Sequence, residues 1–94
     1  MYRIKHDRKF DKSLRKLIKN GLKQKYIDEI YVVIELLASG KRLPIEYLDH
    51  KLQGEFKDYR ECHIQGDLLL VYRIIKNELV LVLINIGTHS ELFK

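Results

Sequence analysis

Three histidines and one aspartate in the second half of the chain have the side chains that acid–base catalysis needs. They are His50, His63, Asp67 and His89. An imidazole exchanges protons near neutral pH, because its unperturbed pKa is about 6.5. Two such groups and a carboxylate are sufficient to cleave RNA without a metal. One group removes the proton of the ribose 2′-OH, another protonates the leaving 5′-oxygen, and a cation stabilises the phosphorane; each acid or base contributes roughly 10² to 10⁴ in rate.

Other interpretations of these residues stay open at this point. A single histidine is more often a surface residue than a catalytic one, and the fourth histidine, His6, is interpreted as incidental. Asp67 lies in the sequence Gln-Gly-Asp, which favours a turn. Three histidines and an aspartate can also bind a metal, but their wide spacing lacks the i, i+4 pair of a helical zinc motif.

Strand alternation predicts the direction of His63. Glu61 and His63 fall on one face of a predicted strand, and Cys62 and Ile64 fall on the other. If Cys62 and Ile64 are the buried pair, His63 points away from the core. The ends of the strands then place His63, Asp67 and His89 at related edges of a sheet.

Two helices and four strands must position these residues. The helices follow from apolar residues at helical spacing, and the strands from apolar runs separated by turn-sized gaps. The predicted elements are a strand at 2–5, a helix from an Asp7 N-cap to Asn20-Gly21, a helix at 23–39, an irregular connection at 41–52, strands at 55–64, 68–75 and 79–86, and a helical turn that begins with the capping box Thr88–Glu91. The fold class is α+β: two N-terminal helices packed on a small, mainly antiparallel four-stranded sheet, in the order β-α-α-β-β-β plus a short C-terminal helical turn.

Composition excludes several classes of protein. A chain of 94 residues fits one domain, predicted to span residues 1–94. An apolar fraction of 46% and a single proline argue against disorder. Cys62 has no cysteine partner within the chain, so a disulfide-stapled secreted domain is excluded. There is no apolar run of about 18 residues and no signal-peptide core, so we predict a cytoplasmic protein that does not enter a membrane.

Charge is distributed unevenly along the chain. Residues 1–44 carry 12 basic and 5 acidic side chains, whereas residues 45–94 carry 6 basic and 8 acidic ones. A basic half favours a polyanionic partner, either nucleic acid or an acidic protein. A solvated, lysine-rich helix face is the alternative interpretation.

The order of the motifs resembles the YafQ branch of the RelE/ParE toxin superfamily over essentially the whole chain. The resemblance rests on three motifs, DHxLxG, YRxxHI and GTHxxLF, together with Asp67 and Leu70-Val71-Tyr72. In this chain the motifs read Asp49-His50-Lys51-Leu52-Gln53-Gly54, Tyr59-Arg60-Glu61-Cys62-His63-Ile64 and Gly87-Thr88-His89-Ser90-Glu91-Leu92-Phe93. Each motif alone is weak, and their order makes the resemblance specific.

This resemblance implies a RelE-like fold and an mRNA interferase, the toxin of a type II toxin–antitoxin pair. Such toxins cut mRNA in the ribosomal A site without a metal or other cofactor, leaving a 2′,3′-cyclic phosphate and a 5′-OH. The implied partners are a cognate antitoxin, mRNA, and the ribosome with its RNA. The catalytic set carries over to His50, His63, Asp67 and His89. His89 is then the general acid, His50 or Asp67 the base, and His63 the group that orients the phosphate.

Phe93, Lys51 and Arg73 are the predicted RNA-binding residues. Phe93 can serve as part of the core or as a platform on which a base stacks. Two positions depart from the family's pattern: Leu68 replaces an aromatic residue after the turn aspartate, and Asn85 replaces an arginine before the GTH motif. Both changes predict weaker contact with RNA, for which Arg73 or the basic residues of the first helix are candidate replacements.

Two other functions remain as alternatives. A ParE-like toxin of the same fold blocks a DNA topoisomerase without cutting RNA, and its histidines have no catalytic role. A plain binding module for RNA or an acidic protein uses the basic first half and shows a strong salt dependence without cleavage.

Overall fold

The computed structural model describes residues 1–93 as a mixed sheet with helices, and Lys94 lies outside the described residues. The elements in chain order are β1 (Arg3–His6), α1 (Arg8–Lys19), α2 (Gln24–Ala38), β2 (His50–Lys51), β3 (Arg60–Gln65), β4 (Leu68–Ile75), β5 (Val80–Gly87) and α3 (His89–Leu92). The predicted α+β class is confirmed.

Both long helices begin and end where the sequence predicts. The Asp7 carboxylate accepts a hydrogen bond from the Lys9 N–H at 2.8 Å and so caps α1, whose Phe10 and Leu14 are buried. Gly21, at φ +96°, follows the end of this helix. Helix α2 buries its apolar stripe in the same core and is followed by Gly40, which also has a positive φ.

The strands lie in the order β1-β5-β4-β3-β2. Strand β1 runs parallel to β5, and every other neighbouring pair is antiparallel. Helix α1 contacts β5 and α2 contacts β3, so both helices cover one face of the sheet. The core between helices and sheet contains Cys62, Leu70, Tyr72, Leu81 and Leu83. Residues that alternate with these therefore face the other side, which carries the candidate site.

The sheet has five strands, so the prediction of four strands is wrong in number. The additional strand is β2, which lies within the segment predicted to be irregular and pairs with β3 at the sheet edge. A strand of two residues carries no periodicity, and its pairing depends on residues distant in sequence. Strand β3 is also shorter than predicted, because residues 54–56 form a 3₁₀ turn and pairing with β4 begins at Arg60.

The capping box predicted near the C-terminus is present. Thr88 accepts a hydrogen bond from the Glu91 N–H, and the Glu91 carboxylate accepts one from the Thr88 N–H at 2.8 Å. This capping box starts α3, which contacts β5. Among residues 1–93, none of the helices has the length and apolar character needed to cross a bilayer.

Candidate functional site

The candidate site lies at one end of the sheet face that the helices leave open. His63 in β3 pairs opposite Leu69 in β4, and Leu69 pairs opposite Gly87 in β5. His89 follows Gly87 by two residues, and Asp67 lies in the turn that joins β3 to β4. Two strand spacings separate the backbones of His63 and Gly87, about 10 Å. The strand register therefore brings His63, Asp67 and His89 to one end of the sheet.

His50 is fixed by hydrogen bonds at both ring nitrogens. It pairs across the sheet with Glu61, and its Nε2 lies 3.0 Å from Glu61 Oε2. Its Nδ1 lies 2.7 Å from the Leu48 carbonyl oxygen. Because a carbonyl oxygen can only accept, Nδ1 must carry a proton, and a second proton lies between Nε2 and the carboxylate. The pair is therefore either an imidazolium facing a carboxylate or a neutral imidazole facing a protonated carboxyl group.

Glu61 is the buried member of this pair. Its side chain is 7% exposed, whereas that of His50 is 49% exposed. A buried carboxylate needs a charged or hydrogen-bonding partner, since desolvation without one is costly. Glu61 therefore depends on His50 as its partner on the open side of the site.

His63 lies beside His50 with its ring nitrogens unoccupied. The ring centroids are 6.2 Å apart, and His63 forms no hydrogen bond to another residue within 1–93. Cys62 and Ile64 on either side are buried in the core. His63 therefore points away from the core, as the alternation predicts, and can accept a proton from a ligand.

Asp67 and His89 form the second pair in the site. The Asp67 Oδ1 accepts a hydrogen bond from the His89 backbone N–H at 3.4 Å, which ties the β3–β4 turn to the start of α3. Gly87 allows α3 to pack closely on the end of β5, because a Cβ at this position would lie 3.1 Å from the Glu91 carboxylate and 3.6 Å from Leu92. The imidazole of His89 remains exposed at the end of the sheet.

Phe93 is packed into an aromatic row beside the histidines. Its ring centroid is 5.2 Å from that of His89 and 5.4 Å from that of Phe56, and Phe56 in turn lies 6.4 Å from Tyr59. Phe93 is half-buried. One part of the ring packs on Phe56 and the rest is accessible, so stacking with a base stays a prediction.

Three residues that were not predicted as site residues anchor β2 from the core side. The Tyr72 hydroxyl donates to Asp49 Oδ1 at 2.5 Å, and Arg60 Nη2 donates to Asp49 Oδ2 at 3.0 Å. The hydrogen bond to Asp49 raises the pKa of Arg60 above its usual value, and burial followed by the contact with Asp49 raises that of Tyr72. The anchored Asp49 immediately precedes His50.

Glu61 and this network were missed, although the sequence contained a signal for each. Glu61 shares its strand face with His63, and Arg60 is a charged residue on the core-facing side of the same strand. A charge at a core-facing position needs a partner, and that requirement points to a nearby carboxylate.

The other predicted RNA-binding residues lie outside the histidine cluster itself, although Lys51 directly follows His50 in β2. Lys51 and Arg73 line one cleft with Lys57 and Lys76, and none of the four predicted catalytic residues lines it. The two departures from the family pattern have structural roles. Leu68 is partly buried against the core, and Asn85 Oδ1 accepts hydrogen bonds from Ser13 Oγ at 2.6 Å and the Ile86 N–H at 2.9 Å.

The described part of the chain, residues 1–93, contains no group of three or more His, Cys, Asp or Glu side chains placed to hold a metal ion. Both ring nitrogens of His50 are occupied by partners within the protein, Nε2 by Glu61 and Nδ1 by the Leu48 carbonyl. Asp67 contacts the backbone N–H of His89 and leaves its imidazole out of that contact.

Fold and site together define a small α+β protein with a cluster of histidines and a carboxylate on an open sheet face. The sequence model of the YafQ family, described as the bacterial toxin of type II toxin–antitoxin systems, matches residues 2–94. The chain therefore belongs to the YafQ family of type II toxins, and the predicted family is confirmed.

Individual relatives agree with this assignment. The mRNA interferase toxin YafQ of Escherichia coli K12 is 36% identical over 67% of this chain and 66% of the relative. A metal-bound toxin from Helicobacter pylori is 48% identical, with a TM-score of 0.87, over 99% of this chain and all of the other. YafQ in the E. coli DinJ–YafQ complex is 28% identical with a TM-score of 0.87, and both chains are covered completely. The predicted enzyme class agrees with the name of the K12 relative.

Proposed function

We propose that this toxin is an mRNA interferase, an endoribonuclease that cuts mRNA on the ribosome in the cytoplasm by acid–base chemistry of its own side chains. The observation that carries the proposal is the placement of His50, His63 and His89, with Asp67, at one end of an open sheet face. The activity for which its E. coli relatives are named supports the proposal. The protein's own side chains supply the acid and the base, so no metal is required in this scheme.

The geometry favours one distribution of roles. His63 has no hydrogen-bond partner in the described chain, so it is the base that removes the 2′-OH proton. His89, which follows the end of β5, protonates the leaving 5′-oxygen, and the phosphate then lies between the two imidazoles. His50, held by Glu61, stabilises the negative charge on phosphorus. Relative to the expectation from the family, His50 and His63 exchange roles.

Asp67 acts as a positioning residue in this scheme. Its carboxylate holds the His89 backbone N–H, and thereby orients the first turn of α3. The 2′-oxygen attacks phosphorus, the bond to the 5′-oxygen breaks, and the two proton transfers balance. The products are a 2′,3′-cyclic phosphate and a 5′-OH.

A cognate antitoxin is the expected protein partner, as supported by the DinJ complex of the E. coli relative. We infer that an acidic segment of the antitoxin binds the basic first half of the chain and covers the histidines. Complementary charge accelerates such an association.

Mapping of message ends after induction tests the function. We expect new 5′ ends within codons, in frame, when the wild-type protein is induced. His89→Gln should abolish them, because a general acid contributes roughly 10² to 10⁴ in rate. His6→Gln is the matched control, since His6 lies outside the site and pairs with Asp11. In a purified ribosome assay, toxin dialysed against EDTA should cut as fast as untreated toxin.

Three outcomes would contradict the proposal. Undiminished cutting by a well-expressed His89→Gln variant would remove His89 from the mechanism. Loss of cutting after dialysis, with recovery on adding a metal, would show that a metal is needed. Growth arrest with DNA-damage signalling and intact messages would favour the topoisomerase poison instead.

A further inference from the structure

Most basic residues of the second half of the chain converge on one surface cleft. Residues 45–94 contain six basic side chains, and five of them line a cleft of about 510 Å³ at the end of the sheet where β3 begins. They are Lys51, Lys57, Arg60, Arg73 and Lys76. The net charge of this half of the chain is slightly negative, yet its basic side chains form one concentrated positive site.

The charges of this cleft are largely uncompensated. Arg60 is paired with Asp49, but the other four cations form no ion pair with any residue among 1–93. All four are exposed, and Asp58 is the one acidic residue in the lining. Clustered cations repel one another, so a surface of this kind favours a polyanionic ligand.

The cleft is adjacent to the strands that carry the catalytic cluster. Lys51 follows His50 in β2, and Arg60 precedes Glu61 in β3. Arg60 also lines the neighbouring cavity, to which His50 contributes. A strand of nucleic acid whose scissile phosphate lies at the histidines therefore has its flanking phosphates within reach of the lysines.

An aromatic side chain makes RNA the favoured ligand over an acidic peptide. Tyr59 lines the cleft, and its ring lies 6.4 Å from that of Phe56, which contacts Phe93. Cations beside aromatic rings are typical of surfaces that bind single-stranded nucleic acid, where phosphates meet the charges and bases stack on the rings.

We propose that this cleft binds the phosphate backbone of single-stranded RNA next to the scissile phosphate, with Lys51, Lys57, Arg73 and Lys76 as its cationic contacts. The proposal rests on RNA as the substrate and adds a second anion site to the histidine cluster. Lys57 and Lys76, which belong to none of the three motifs, are assigned to RNA binding by their position in the cleft.

The salt dependence of RNA binding tests the cleft. The probe is a fluorescein-labelled 12-nucleotide 2′-O-methyl RNA, which lacks the nucleophile for cleavage. The Lys57→Gln/Lys76→Gln double variant should reduce the slope of log Kd against log salt by about 1.4, since each contact with a single-strand phosphate contributes about 0.7. The same slope makes binding roughly twentyfold weaker at 0.1 M salt.

Two controls test whether the effect depends on the position of the lysines and on RNA as the ligand. Lys25→Gln/Lys41→Gln removes the same charge from exposed positions outside the cleft and should keep the wild-type slope. A 12-residue polyglutamate serves as the second probe. A wild-type RNA slope in Lys57→Gln/Lys76→Gln would overturn the proposal. Equal or greater weakening of polyglutamate binding would also overturn it, because the cleft would then have no preference for RNA.

The cleft and the proposed function can fail separately. The binding measurement involves no cleavage, so a protein that binds RNA through the cleft but leaves messages intact contradicts only the proposed function. A protein that cuts messages while Lys57→Gln/Lys76→Gln binds RNA like the wild type contradicts only the cleft.

Discussion

Glu61 is the residue that distinguishes the surroundings of His50 from those of His63. Both nitrogens of His50 are engaged, one by the Leu48 carbonyl and one by the Glu61 carboxylate, whereas His63 has no such partner. The ring centroids of His50 and His63 are 6.2 Å apart, but their different hydrogen-bond partners suit them to different roles. Glu61 acts through His50 and does not face the reacting atoms, so it is a positioning residue.

Replacing Glu61 with Gln should slow cleavage while the fold is retained. The amide keeps the size and a hydrogen bond but removes the negative charge that faces His50 Nε2. A charge-assisted hydrogen bond contributes about 1.5–3 kcal/mol, which corresponds to roughly a 10- to 100-fold fall in kcat. The KM should stay unchanged while kcat falls, a split that a purely structural residue would not cause.

The surface pair of His6 with Asp11 provides the control for this measurement. Its two atoms are 2.8 Å apart, and both side chains are well exposed. Asp11→Asn removes the same type of contact far from the site and should leave both kcat and KM unchanged. A wild-type rate for Glu61→Gln would show that His50 needs no carboxylate partner.

At the scale of elements, strand β2 depends on contacts outside its own backbone. It contains two residues at the edge of the sheet, too few for independent stability. Its position is fixed by the Asp49 contacts with Arg60 and Tyr72, and by a hydrogen bond from the Tyr47 hydroxyl to Glu29 in α2. The segment that carries His50 is thus held at two points just before the strand.

Removing one of these contacts should displace His50. In Tyr72→Phe, Asp49 loses its shortest hydrogen bond inside the protein, so the free energy of unfolding should fall by about 1–2 kcal/mol in urea titrations. The NMR signal of the His50 ring should shift while that of His6 does not, and kcat should decrease. Tyr31→Phe is the control, because Tyr31 is 52% exposed. An unshifted His50 signal with a normal kcat would show that β2 is held without Tyr72.

For the whole molecule, local sequence patterns predicted the helices and strands. Long-range strand pairing determined how far apart the site residues lie. Helix α1 and strand β4 follow from their own periodicity. The separation of His63 from His89 depends on the register of Leu69 with Gly87, on the Gly66 turn and on a bulge between Val71 and Tyr72. No local pattern contains that information.

The contacts of single residues were harder to predict than the fold. Glu61 and Arg60 occupy adjacent positions on opposite faces of β3, yet both are charged groups held by a partner. Alternation assigns their faces correctly but gives no partner. The pairing of Glu61 with His50 required the short strand β2, which the sequence did not predict.

The stability of the whole molecule should fall at alkaline pH, because three neutral groups must lose protons. The hydrogen bond to Glu29 raises the pKa of Tyr47 to about 12, burial raises that of Cys62 to about 12, and burial also raises that of Tyr72. A pKa that is higher in the folded state means that the protonated form stabilises the fold. This stabilisation is complete below the unfolded-state pKa values, about 8.5 for Cys and about 10 for Tyr, and is lost as pH rises toward 12.

Urea midpoints measured between pH 8 and pH 12 should therefore decrease steadily above pH 9. Absorbance at 295 nm should show that part of the phenolate forms only as the protein unfolds. Tyr47→Phe should be less stable than the wild type at pH 8, because Glu29 loses its partner, and should lose less stability between pH 10 and pH 12. Tyr31→Phe should follow the wild type. An equally steep fall in Tyr47→Phe would show that the Glu29 contact does not hold the proton on Tyr47.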